Sequence, residues 1–116
     1  MILETTLTSY SITYRCVQNY RSNYVTITCK SENERISLLI VFIEESKEDD
    51  PPPYARIDSL PRGSSRVVVY YPLSMLQSIH HTLQTEKPIR LYANNNNDYT
   101  QVVFGTSQEP SGEEEG

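Results

Sequence analysis

The chain has no tryptophan, two cysteines and four glycines in 116 residues, and each shortage removes a class of protein. Cys16 and Cys29 are too few for a secreted disulfide scaffold or a four-ligand zinc site. Two of the glycines, Gly112 and Gly116, fall in the final stretch, so a glycine-rich phosphate loop is nearly excluded. No G-x-S-x-G, H-E-x-x-H or paired-cysteine motif occurs. The longest apolar run, Leu38 to Ile43, is far shorter than a membrane span. Met1-Ile-Leu-Glu is not the basic start of a signal peptide, and no N-x-Ser/Thr site is present. The expectation is a soluble cytoplasmic protein with reduced thiols, no membrane contact, no cofactor, and no metal or catalytic residues.

Charge is missing in one place and crowded in another. Net charge is −5, and the last eight residues hold four glutamates and no base. Without them eleven acids face ten bases, a nearly neutral body with no basic cluster. Duplex DNA and anionic membranes demand a concentrated positive field, so nucleic acid is disfavoured as a partner. Residues 1–106 are expected to form one globular domain, and residues 107–116 a disordered acidic tail.

What is abundant points to strands. Nine tyrosines outnumber two phenylalanines, and Tyr with Thr suits half-buried sheet. Arg35 to Glu45 forms the hydrophobic spine, apolar on both sides from Leu38 to Ile43 and so expected as a strand buried on both faces. Its burial supplies roughly 10 kcal/mol of gross driving force.

Ahead of the spine, Thr8 to Tyr20 alternates, with Tyr10, Ile12, Tyr14 and Cys16 on one face. Tyr24 to Lys30 sets Val25, Ile27 and Cys29 inward. Hairpins centred at Ser22/Asn23 and Glu32/Asn33 would place Cys16 opposite Cys29, and Cys29 opposite Ile36. The two thiols are then near neighbours, able to bridge under oxidation but expected as plain core thiols.

After the spine, residues 44–53 read as an acidic, proline-containing loop. Tyr54 to Leu60 and Arg66 to Tyr71 are expected strands, the second a natural neighbour for the spine. Ser74 and Gln77 have capping-box spacing, and a helix over about 74–86 carries Leu73, Leu76, Ile79, His80 and Leu83 in one stripe. Ile89 to Ala93 and Tyr99 to Gly105 complete the set, with a turn over Asn94 to Asp98. The fold class is mainly β or α+β: a curved antiparallel sheet, or small barrel or sandwich, of about seven strands with one packed α-helix.

Three candidate surfaces emerge. Pro51, Pro52, Pro53 and Tyr54 match the PPxY pattern taken up by WW domains, and equally fit a plain linker. Tyr14, Arg15, Tyr71, Arg90 and Tyr92 are candidates for a Tyr/Arg sheet face that stacks single-stranded bases, as OB-type barrels do. The alternative for them is ordinary cross-strand packing. His80 and His81 mark a helix edge; adjacent helical positions diverge by about 100°, too far to chelate one metal. With no chemical site, the expected role is a protein-interaction or accessory module. Its partner is an unknown protein or a second copy pairing through Thr8–Tyr20 or Tyr99–Gly105. The alternatives are the single-stranded nucleic-acid binder, and a small-ligand protein or enzyme whose site is assembled from scattered residues.

Overall fold

The computed structural model describes residues 1–16, 24–44, 54–96 and 98–106. The strands are β1 (Ile2–Arg15), β2 (Tyr24–Ser31), β3 (Ile36–Ile43), β4 (Tyr54–Leu60), β5 (Ser64–Pro72), β6 (Ile89–Asn95) and β7 (Thr100–Thr106), with one helix, α1 (Leu76–Thr85). They form a single seven-stranded sheet in the order β4-β5-β3-β2-β1-β6-β7. The sheet curls into a half-barrel, bringing its first and last strands, β4 and β7, within 8 Å at Cα. The tail from residue 107 and the loop from residue 45 to residue 53 lie outside the described residues.

The alternating pattern of β3 becomes the floor of the core. Leu38, Ile40 and Phe42 are fully buried, whereas Leu39, Val41 and Ile43 are half-buried. The spine is therefore sealed on its inner face alone. Its outer face lies on the convex side of the curl, and among the described residues no second layer covers it. As expected, β5 is its neighbour, but the pairing is parallel, Ile40 against Val69. β4 lies beyond it, joined to β5 by a tight turn in which Arg62 and Gly63 take φ of 66° and 74°. Gly63 meets that left-handed requirement without a side chain.

Both early hairpins differ in register from the expectation. Tyr10 pairs with Cys29 and Ile12 with Ile27, a slip of six residues, and Cys29 pairs with Leu38, a slip of two. Cys16 is exposed and Cys29 buried, so the two thiols are not cross-strand neighbours. Alternation has period two and cannot separate registers an even number apart, because each leaves the same side chains inward. The β2–β3 turn settles the second slip. Asn33 O accepts from Ile36 N at 2.9 Å, Asn33 Oδ1 from Arg35 N at 3.0 Å, and the buried Ser31 Oγ lies within 2.7 Å of both Asn33 O and Ile36 O.

β1 starts earlier than the expected Thr8, and residues 17–20 of the expected strand lie outside the described residues. Leu3, Thr5 and Leu7 face inward against Ala93, Leu91 and Ile89 of β6. Beyond them Tyr10, Ile12 and Tyr14 face the same way. The change from odd to even positions is made by a bulge at Thr8, between the pairs Leu7–Ser31 and Ser9–Lys30. One extra residue thus lets a single strand serve both halves of the curl.

α1 lays Ile79 and Leu83 onto the core, with Leu73 and Leu76 partly buried beside them. The helix is entered through a 3-10 turn, Leu73–Met75, and the caps are Pro72 and Met75 with no side-chain cap hydrogen bond. The expected Ser74–Gln77 capping box is not how it begins. Tyr71 of β5 and Phe104 of β7 meet edge to face across the interior, their centroids 6.1 Å apart.

Candidate functional site

β6 begins at Ile89, opposite Leu7, because α1 and the Lys87–Pro88 turn occupy the chain before it. From Ser9 to Tyr14, β1 is paired with β2 on one side, and among the described residues no strand pairs the other side of Thr8–Tyr14. A run of backbone N–H and C=O groups is left open there. Natural sheets guard such edges with Lys, Pro or acids, and Thr8 to Tyr14 contains none. Tyr10, Ile12 and Tyr14 stand on the inner face of this edge, and Tyr14 is 72% exposed.

A groove of about 490 Å³ runs between the edge and the C-terminal end of α1, with Thr8 and Tyr10 on one wall, Leu83, Gln84 and Lys87 on the other, and Cys29 at its floor. His80 reaches Tyr10 edge to face at 5.7 Å. Burial pushes the Cys29 thiol up to about 12, so it is a neutral thiol and no nucleophile at neutral pH. The groove thus offers apolar surface and free backbone groups. Among the described residues no three His, Cys, Asp or Glu gather as a metal site. No helix among them is long and apolar enough to cross a membrane.

The expected Tyr/Arg face is not assembled as one surface. Tyr14 and Arg15 lie at the far end of β1, on opposite faces of the strand. Tyr71 points inward to Phe104, and burial raises its pKa. Arg90 and Tyr92 share the outer face of β6, where Arg90 Nη1 donates to Thr6 Oγ1 at 3.1 Å. His80 is half-buried and His81 exposed. Of the PPxY stretch, Pro51, Pro52 and Pro53 lie outside the described residues. Tyr54 opens β4, 55% exposed.

A cluster the sequence did not announce occupies the outer face of β4 and β5. Asp58 accepts from Arg56 Nε at 2.9 Å and sits 3.7 Å from Arg66 Nη2. Arg56 Nη1 donates to the Tyr70 hydroxyl at 3.0 Å, and Tyr54 packs against the Tyr70 ring at 5.3 Å. The bonds to Tyr70 and then Asp58 hold the Arg56 guanidinium above its already high pKa. Period two places Arg56 with Asp58, and Arg66 with Tyr70. That the two pairs meet depends on the β4–β5 register.

Compared with protein-family models, with curated proteins and with solved structures, the chain matches none. Its function is therefore read from its own surfaces.

Proposed function

We propose that this chain is a small protein-interaction module that works by strand addition, and that the strand it takes is the same stretch of a second copy. The observation that carries this is the open edge Thr8–Tyr14, unguarded by charge and flanked by a groove. Antiparallel pairing must match inner face to inner face, so residue positions that meet sum to an even number. Centring the two-fold axis on Ile12 sets Ile12 against its own copy, Tyr10 against Tyr14, and Ser11 against Thr13. Each Tyr14 ring then leaves solvent for the groove beside Tyr10. Cross-strand aromatic pairs of this kind contribute about 0.2–1 kcal/mol each, beyond the backbone bonds the edge gains.

Light scattering on the purified chain tests the reading. The expected result is a dimer of the 13.3 kDa chain. The double variant Ser11→Lys, Thr13→Lys sets ammonium groups face to face at two exposed positions. It is expected to be a folded monomer. A wild-type monomer at roughly 100 μM, or a variant as dimeric as the parent, would end the proposal.

A further inference from the structure

The strand-edge reading leaves unused a cation-bearing surface, the outer face of β1-β2-β3-β5-β4. The registers lay it out in rows. Ser9, Lys30, Ser37, Arg66 and Asp58 form one, and Ser11, Thr28, Leu39, Val68 and Arg56 the next. The third is Thr13, Thr26, Val41, Tyr70 and Tyr54. Arg15 extends the same face. From Ser9 onward the face holds Lys30, Arg56 and Arg66 beside Asp58, with Glu4 at the distant end of β1, and almost everything between Lys30 and the edge on β1 and β2 is a hydroxyl.

The arginine cluster is short of acceptors. Asp58 balances one of two guanidinium groups. Arg66 Nε is buried and, among the described residues, has no hydrogen-bond partner. Arg66 is thus under-satisfied as a donor, and its side chain remains 43% accessible, so an oxyanion arriving at the face can balance its charge through the exposed part of the guanidinium. Tyr54, braced edge-on by Tyr70 and more than half exposed, adds an aromatic stacking surface in the neighbouring rows. Phosphate-ready cations beside an open tyrosine ring fit a polymer that carries both phosphates and planar bases. An acidic peptide would use the cations and leave the ring idle.

We infer that this face binds single-stranded nucleic acid, with Lys30, Arg56 and Arg66 on phosphates and Tyr54 under a base. The inference does not rest on the dimer, since it uses the opposite side of the sheet from the groove and is read by a different measurement.

Fluorescence anisotropy with a labelled oligothymidylate of about twenty nucleotides tests it on the full chain. Three phosphate contacts give a log affinity against log salt slope of about −2 for a single strand. Lys30→Glu, at an exposed position outside the arginine cluster, is expected to weaken binding roughly tenfold at low salt and flatten the slope. Tyr54→Ala is expected to weaken it about 5- to 150-fold by loss of stacking. Asp58→Asn, which removes the acid inside the arginine cluster, is expected to tighten it. Circular dichroism confirms that each variant is folded. Absence of saturable binding at about 20 mM salt overturns the inference, as does binding indifferent to Lys30→Glu. Equal displacement by poly-glutamate together with an unaffected Tyr54→Ala also overturns it, leaving a general polyanion patch.

Discussion

Tyr10 and His80 meet edge to face, their centroids 5.7 Å apart and their planes at 74°, and the contact fastens the freed half of β1 to α1. It adds to the pairing of this stretch with β2 and to the packing of Tyr10 and Ile12 against the core. A double-mutant cycle of Tyr10→Leu and His80→Ala is expected to give a coupling of about 0.5–1.5 kcal/mol, the range for aromatic pairs. Thermal melts of the four proteins measure it. Strict additivity would show that the rings touch without holding anything.

The bulge at Thr8 is what keeps both halves of β1 inward-facing. Deleting Thr8 puts Leu3, Thr5 and Leu7 out of phase with Tyr10, Ile12 and Tyr14. The expected result is loss of amide protection in β6 and β7 while β2, β3 and β5 stay protected, read by hydrogen exchange. Unchanged protection in β6 would refute the assignment.

The two thiols are expected to behave differently. At pH 8 an alkylating reagent should label exposed Cys16 and spare buried Cys29 until the protein unfolds. The Cys29 pKa is raised from 9.0 to about 12 in the fold, so folding retains the proton. The stability this contributes is complete below pH 9 and declines as pH climbs from 9 toward 12. Replacing Cys29 with Ala should remove that alkaline decline. Equal labelling of both thiols in the native state would contradict the burial.

The Arg56–Asp58–Arg66 network is half-exposed, its arginine side chains 40% and 43% accessible. Asp58→Asn is therefore expected to cost no more than about 1 kcal/mol, shrinking in high salt. Tyr70→Phe removes the hydroxyl that accepts from Arg56, at about 0.5–1.5 kcal/mol. Urea titrations distinguish these losses from the core substitution Leu38→Ala, expected to cost about 2–5 kcal/mol. A larger loss for Asp58→Asn than for Leu38→Ala would reverse the ranking of surface and core.

Much of this was legible in the residues. Alternation in Tyr24–Lys30 and at Ile36, Leu38, Ile40 and Phe42 marks strands and assigns their faces, and the stripe through Ile79 and Leu83 marks the helix. Ile2–Leu7 was not legible as strand. Its inward residues are odd-numbered while those after Thr8 are even, and the mixture blurs any single period. The cysteine pairing failed for a related reason, since a slip of six leaves every face unchanged. The open edge of β1 was half visible: its sequence suggests a pairing strand, but which side lies bare depends on where β6 stops.

By itself, then, the sequence determined the elements and which of their sides seek the interior, because those follow from the period of apolar residues along a few neighbouring positions. It also determined that no ready-made catalytic or metal motif is spelled out. Strand order, the parallel β3–β5 pair, the bulge that carries β1 across both halves, and the meeting of Arg56, Asp58, Arg66 and Tyr70 were decided in three dimensions. They depend on which remote strands fit together around one shared core, and a local period carries no information about distant partners.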